Sequence, residues 1–325
     1  MGQYQIYKHC PVALQNFLCS LKGLQLEKQR YGGEYEKIFN FLLDSDNWSL
    51  EKIRSYKEEH LFKIIEYAFR NCPFYRKRYS VLGLSPSSFT CLEDLKKFPI
   101  LTKEDVRENW KEIIADDFPS RELIGYHTSG STGKALDFYW TKHDLRFYWA
   151  VVWRGRHRFG INKGDRHINF TGKIVVPLEQ KEPPYWRYNK PMNQYMMNMQ
   201  HITDSKVEDI VDFINRENCK FFVGYPSIMN TLAMLIDEKG LVVENPPKYI
   251  FSSAEKMYDN QRMIIEKVFP GVEIVEHYGF SENAACASKC PDGLYHEDFE
   301  LGHLELENKE CNTGRTVSYT HLRAH

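Results

Sequence analysis

Residues Tyr126–Trp140, YHTSGSTGKALDFYW, are the stretch whose reading decides the fold. A short strand-forming run leads into Thr128-Ser129-Gly130-Ser131-Thr132-Gly133-Lys134, and a second one, Phe138-Tyr139-Trp140, leaves it. Glycines let the backbone come close to a ligand, hydroxyls and amide N–H groups donate hydrogen bonds, and Lys134 adds positive charge. Framed by two strands, such a loop can wrap a polyphosphate. It is not the P-loop of kinases and GTPases, which needs Gly at 128 and Ser or Thr after the lysine, where this chain has Thr128 and Ala135. The alternative is a flexible Ser/Gly turn in a hairpin. Residues further along the chain separate the two.

Downstream, strand and helix signals alternate. Thr141 and Asp144 predict the start of a helix running to about Phe159, and His167–Phe170 reads as a strand. Pro177–Met199 reads as irregular; its YMMNMQ end could line an acyl pocket, with core packing the favoured alternative. Ser205 and Glu208 spell a capping box before the apolar face Val207, Ile210, Val211 and Ile214. Three short strands follow, at Phe221–Val223, Tyr249–Phe251 and Glu273–Glu276. Each runs into a polar turn: Gly224-Tyr225-Pro226-Ser227, with Ser227 as a candidate helix cap, then Ser252-Ser253-Ala254-Glu255, then His277-Tyr278-Gly279-Phe280-Ser281-Glu282. Alternation of this kind predicts a parallel sheet covered on both faces. Ligands of open α/β sheets bind beyond the carboxyl ends of the strands, so these turns are expected to converge on one site.

The first 120 residues read as mostly helical. Leu61, Ile64, Ile65, Ala68 and Phe69 fall at helical spacing and Pro73 stops that helix; Thr90–Glu93 and Thr102–Asp105 are start signals. No catalytic constellation is visible there. The domain reading is 1–120 mostly helical, 121–315 an α/β core, and 316–325 a non-native tail.

At 325 residues the chain can bury a large core, and a net charge of −1 gives no electrostatic case for nucleic acid or an acidic membrane surface. No apolar run reaches bilayer length and the N-terminus is not a signal peptide. Eight cysteines without a CxxC pair suggest reduced thiols in a cytoplasmic protein. A homodimer is left open.

Taken in order, TSGSTGKAL, GYPS, SSAE and HYGFSE resemble the motifs of adenylate-forming enzymes. IIEYAFRNCPFYRKRY, LEDLKKFPILTKEDVREN and Leu136, where most of that superfamily has a second lysine, are similar to the phenylacetate–CoA ligase-like branch with its capsular polysaccharide synthesis members. The resemblance spans about Leu61 to Gly314. It implies an α/β fold, the large N-terminal lobe of such an enzyme, with mostly parallel sheets flanked by helices behind a helical N-terminal segment. It further implies ATP-dependent activation of a carboxylic acid, aryl acids included, to an acyl-adenylate, then transfer to coenzyme A. Transfer to a non-CoA acceptor in surface polysaccharide synthesis and a non-catalytic nucleotide-binding module are the alternatives.

By the same resemblance, Thr128 to Lys134 cradle the β- and γ-phosphates and Ser253, Ala254 and Glu255 border the adenine. Tyr278 stacks on it within His277-Tyr278-Gly279, Ser281 lies near the α-phosphate, and Glu282 holds Mg²⁺; Lys134 and Glu282 become the catalytic pair. Phe170, Gly172, Tyr225 and Pro226 could face the acid. Cys290 and His296, within CPDGLYH, resemble a segment that binds zinc in some members of the branch; free thiols and a surface histidine are the favoured alternative.

The chain departs from the family after Asn312-Thr313-Gly314-Arg315, where a ribose-gripping Asp, a hinge and a small C-terminal lobe with a catalytic Lys would follow. The small lobe is expected to be absent. The last ten residues, TVSYTHLRAH, read as translated adapter or vector sequence, and the chain as a shortened copy with weak activity.

Overall fold

The computed structural model describes residues 2–117, 119, 123–127, 137–279, 281–307 and 315–320. The chain divides into two compact units, each discontinuous in sequence: residues 1–28, 156–278 and 289–294 form one, and 29–155, 279–288 and 295–325 the other.

The first unit is built on six strands. In chain order they are β3 (His167–Thr171), β4 (Trp186–Asn189), β5 (Gln194–Asn198), β6 (Phe221–Gly224), β7 (Tyr249–Ser253) and β8 (Glu273–Gly279). In space they run β8-β7-β6-β3-β5-β4, with only β4 antiparallel to its neighbour. Helices α8 (Val207–Glu217), α9 (Pro226–Glu238) and α10 (Asp259–Val268) cover one face. Val207, Ile210, Phe213 and Ile214 of α8 and Ile228, Leu232 and Ile236 of α9 pack with Ile168, Phe222, Ile250 and Ile274 in one core. The opposite face holds Phe221 and Phe251, with the Arg156 guanidinium 5.6 and 5.4 Å from their ring centres. His167 stacks on Phe221 there; burial, reinforced by Arg156, pushes its imidazole down to about 3, so the ring stays neutral.

Helices α1 (Gly2–Tyr7) and α2 (Val12–Tyr31) begin the chain, and their residues up to 28 belong to this first unit. The reason is at the sheet edge. Asn16 Oδ1 accepts from the Tyr188 N–H (3.0 Å), and Ser20 Oγ accepts from Lys190 N–H (3.1 Å) while donating to the Tyr188 carbonyl (3.2 Å). Side chains of α2 thereby satisfy the outer backbone groups of β4, which would otherwise be an open edge. A Cβ on Gly23 would fall 1.9 Å from Asn189 Oδ1, so only glycine allows this approach.

The second unit contains α3 (Tyr35–Ser45), α4 (Leu50–Asn71), α5 (Pro73–Val81), α6 (Lys103–Ile113), most of α7 (Lys142–His157), the hairpin of β1 (Ile124–His127) and β2 (Asp137–Trp140), and β9 (Cys286–Lys289) up to Ser288. The strands β10 (Tyr295–Glu297), β11 (Gly302–Glu307) and β12 (Arg315–Thr320) complete it. Phe138, Trp140 and Leu145 form an aromatic cluster behind the hairpin; Leu61, Ile65, Tyr79, Phe89, Leu95 and Phe98 form a helical one.

Several local expectations are corrected. Pro177–Met199 is not irregular throughout: it carries β4 and β5, and β5 pairs in parallel with β3. Its Tyr185, Trp186, Tyr195 and Met197 side chains pack with the sheet's core, which the Pro-rich reading obscured. The partner in the Thr90 start signal is Asp94, which accepts from the N–H groups of Thr90 and Cys91, while Glu93 reaches Arg54. No side chain caps α8, and Glu208 lies beside Lys239 instead. Ser227 does not cap α9 either; its own N–H is a donor. Arg315–Thr320 pairs antiparallel with Gly302–Glu307, and Thr316, Val317 and Thr320 are β-branched residues of the kind strands favour. The starts at Thr102 and Thr141 are as read, each with its aspartate accepting the cap N–H at 2.8 Å.

Candidate functional site

Parallel register aligns the carboxyl ends of the first unit's strands. Gly224 pairs with Ser252, and Ser253 with His277, so these residues sit on adjacent strands about 4.8 Å apart. The strand order reverses at β3: the chain steps one way to β5, then returns to β6 on the other side. Such a switch point leaves a crevice between the loops after β3 and β6, here Gly172 and Tyr225.

Two turns are physically joined. The Ser227 N–H at the start of α9 donates to Glu255 Oε2 at 3.0 Å, so the SSAE turn supplies a carboxylate to a helix N-terminus in the GYPS turn. Ala254 holds φ at +70°, a left-handed conformation that costs an L-residue about 1–2 kcal/mol. That bend turns the chain sharply out of β7. Ser252, next to it, is 3% exposed, and among the described residues its hydroxyl has no hydrogen-bond partner. A buried orphan hydroxyl is costly, and a polar ligand at the strand ends would satisfy it. At the end of β8, His277 is half-buried and Tyr278, a large aromatic side chain, is 40% exposed. His277, Tyr278 and Gly279 thus belong to the strand itself, which is longer than the sequence suggested.

The four residues assigned to the acid lie at the switch point but differ in access. Tyr225 and Gly172 are exposed, whereas Phe170 and Pro226 are buried, Phe170 against Phe222 at 5.4 Å between ring centres. A Cβ on Gly224 would meet Met229 Cε at 2.8 Å and Phe170 Cβ at 3.3 Å, so the backbone there is closely enclosed. Met199 is exposed and its sulfur would lie 3.4 Å from a Cβ on Gly172. Met197 is fully buried, so the Met-rich segment divides between core and surface.

The sequence comparisons bear on this arrangement. No family model matches the chain. Protein CapK of Staphylococcus aureus is 29% identical over 307 residues, covering 94% of this chain and 66% of that protein. Phenylacetate-coenzyme A ligase of Pseudomonas putida is 35% identical over 269 residues, covering 76% of this chain and 55% of that enzyme. The chain is a homologue of CapK and of the phenylacetate–CoA ligases. It spans between 55 and 66% of the length of these two relatives. Its fold is that of acyl-CoA ligases. A 2-hydroxyisobutyryl-CoA ligase in the postadenylation state with R3-HIB-AMP matches with a TM-score of 0.65 at 17% identity, over 84% of this chain and 60% of that one. The same ligase with 2-HIB-AMP and CoA in the thioesterification state gives 0.62 at 17% identity, over 84% and 61%.

The remaining assigned residues of this homologue are distributed as follows. Thr128, Ser129, Gly130, Ser131, Thr132, Gly133 and Lys134 lie outside the described residues; the hairpin around them is described, with His127 opposite Asp137 and Tyr126 opposite Phe138. The two framing strands are therefore as read. In the second unit, Ser281 is exposed and Glu282 half-buried in the turn after β8. Cys290 is buried and His296 exposed; among the described residues no three His, Cys, Asp or Glu side chains come together as a metal site. No described helix is long and apolar enough to cross a membrane.

One residue at the strand ends went unnoticed in the sequence, and Ser252 was read only as part of the SSAE turn. Asn198, which ends β5 opposite Thr171, is fully buried, and its amide holds the loop after β3. A lone asparagine after an apolar run was the sole signal.

Proposed function

We propose that the chain carries the acid-activating part of an ATP-dependent carboxylic acid–CoA ligase. A carboxylate oxygen of the acid attacks the α-phosphorus of ATP, the bond to the bridging oxygen breaks, and pyrophosphate leaves with its electron pair. The resulting acyl-adenylate passes its acyl group to the thiol of coenzyme A, releasing AMP. ATP supplies the activated phosphorus and the leaving group; the chain's residues bind, orient and exclude water. The observation that carries this reading is the aligned strand ends with the Ser227–Glu255 link, the left-handed Ala254 and the orphan Ser252 hydroxyl, beside the exposed aromatic Tyr278.

In this reading Tyr278 stacks on the base, Ser253, Ala254 and Glu255 border it with His277 and Gly279 behind, and Ser281 serves the α-phosphate. Thr128–Lys134 hold the terminal phosphates by their residue types. Glu282 offers Mg²⁺ a hard carboxylate oxygen. Gly172 and Tyr225 face the acid, with Phe170 and Pro226 as the floor beneath them. Relatives named phenylacetate-coenzyme A ligase support an apolar, aryl-tolerant acid site. A cytoplasmic location and a homodimer fit this role.

The test is ATP–pyrophosphate exchange against a panel of aryl and aliphatic acids, beginning with phenylacetate, alongside direct titration of ATP. Tyr278→Ala should weaken ATP binding by about 5- to 150-fold, since base–aromatic stacking contributes ~1–3 kcal/mol. Glu282→Gln should suppress exchange with the fold intact. Wild-type protein that neither binds ATP nor exchanges pyrophosphate with any acid would overturn the proposal.

A further inference from the structure

The loop after β3 is held in an unusual way. Val175 and Val176 belong to neither helix nor strand, yet both their N–H groups and both their carbonyls are hydrogen-bonded by side chains distant in sequence. Asn198 Oδ1 accepts from the N–H of Val175 (2.9 Å) and of Val176 (3.2 Å), and its Nδ2 donates to the Val176 carbonyl (2.8 Å). From the other side, the Tyr7 hydroxyl on α1 donates to the Val175 carbonyl at 2.5 Å, and Tyr4 Oη accepts from the Leu178 N–H at 3.4 Å. Behind them Arg187, fully buried, donates to Gln15 Oε1 of α2 (2.6 Å) and to Gln180 Oε1 of the loop (2.7 Å). Gln15 in turn donates to the carbonyls of Tyr7 (3.1 Å) and Cys10 (2.9 Å), which ties α1 to α2. Burial pushes the Tyr7 phenol up to about 12, with Arg187 opposing, so it remains a donor.

The clamp fixes one end of a short tip. Thr171 is anchored in β3, opposite Asn198, and its Oγ1 accepts from the Lys173 N–H at 3.1 Å. Gly172, Lys173 and Ile174, between that anchor and Val175, are exposed. They stand at the switch point of the sheet, beside the exposed Met199. Val176 is fully buried, so its backbone groups must find partners inside the protein. The loop is gripped at four consecutive backbone groups by a tyrosine and an asparagine from opposite sides, with the tip exposed.

We propose that α1 and α2 act as a strap that positions the Gly172–Ile174 tip against the carboxylic acid, through Tyr7 and Asn198 as positioning residues. This rests on the ligase reading above and deepens it: the N-terminal helices set the acid side of the site and leave the nucleotide side alone. Tyr7→Phe removes one hydroxyl and keeps the ring. It should raise KM for the best acid of the panel at least fivefold while KM for ATP stays within twofold. Asn198→Asp keeps the acceptor for both N–H groups and loses the donor, and should produce a smaller change of the same kind. Ser20→Ala, on α2 but without a bond to the loop, should leave KM for the acid unchanged. Hydrogen exchange at Val175, Val176 and Leu178 should quicken in Tyr7→Phe and not in Ser20→Ala. An active wild type whose Tyr7→Phe variant keeps its KM for the acid, or raises both KM values equally, would overturn the strap alone. A wild type inactive with every acid would overturn the ligase reading and the strap with it.

Discussion

Replacing Arg154 by methionine tests the second unit at its most polar buried point. The guanidinium, 1% exposed, donates to Glu300 at 2.5 and 3.0 Å, to Asp298 at 2.7 Å, to the Leu42 carbonyl at 3.2 Å and to Ser45 Oγ at 3.3 Å. Asp298 and Glu300 are themselves fully buried, and Ser45 Oγ also donates to Glu300. Burial works against the charge on Arg154, but Glu300 and Asp298 more than restore it. Methionine fills most of the volume and removes every donor, leaving two carboxylates without their cation. Breaking one partner out of a buried ionic group costs about 3–5 kcal/mol, against a total stability of about 5–15 kcal/mol. Urea unfolding followed by tryptophan fluorescence is the assay, because Trp48, Trp110, Trp140, Trp149 and Trp153 lie in this unit and only Trp186 in the other. With a slope of about 2 kcal/mol per molar urea, the midpoint should fall by about 1.5–2.5 M. Adding Asp298→Asn and Glu300→Gln to Arg154→Met should recover part of the loss. A midpoint within about 0.5 M of wild type would show that the carboxylates are relieved by another route and would refute the reasoning.

Three further outcomes are expected. Burial raises the Glu297 carboxyl, but His303, Lys57 and the Leu304 N–H together hold it below its usual range. A depressed carboxylate stabilises the fold above its unfolded pKa and loses that contribution as pH falls through the folded value; Glu297→Gln should therefore lower neutral-pH stability by about 1–3 kcal/mol and flatten the acid side of a melting-temperature profile, and an unchanged profile would contradict it. Gly224→Ala should cost about 1 kcal/mol by overpacking, since Met229 Cε at 2.8 Å can move while Phe170 Cβ at 3.3 Å is anchored in β3; Met229→Leu should relieve part of it, and equal loss in single and double variants would count against this. Ala254→Gly should leave thermal stability unchanged or raise it slightly, because relief of the left-handed strain offsets the added chain entropy, whereas Ala254→Val should lower it by about 1–2 kcal/mol; tolerance of valine would mean the φ of +70° is not maintained.

How much of this was legible in the sequence depends on where the physical cause lies. The parallel sheet was legible, because β6, β7 and β8 are short apolar runs followed by turns that need particular residues: Gly224 for close approach, and a small residue at the left-handed position 254. The start signals at Thr102 and Thr141 were legible because a capping box is local. β4 and β5 were not, since Trp186-Arg187-Tyr188-Asn189 and Gln194-Tyr195-Met196-Met197-Asn198 owe their strand form to packing on β3 and to α2 at the edge. The allegiance of residues 1–28 was equally hidden. A helical segment reads the same whichever unit it joins, and the deciding contacts, Asn16 to Tyr188 and Gln15 to Arg187, bridge 172 positions each.

The same division accounts for the level at which the fold persists among relatives. In a parallel sheet the spacing of strand-end residues is set by backbone pairing, about 4.8 Å per strand, and does not depend on side-chain identity. A TM-score of 0.65 at 17% identity is what that allows: the frame needs only apolar faces and the correct register. A one-residue slip of β7 would exchange Ile250, packed in the helix-covered core, with Phe251, packed against Phe221 on the opposite face, so register is held by the fit of side chains on both faces. The loop after β3 has no such protection, because its backbone is held by Tyr7 and Asn198 rather than by a neighbouring strand. If the proposed strap sets the acid side, those two side chains can change without disturbing the sheet, and preference for the acid should track the N-terminal helices and the β3 loop.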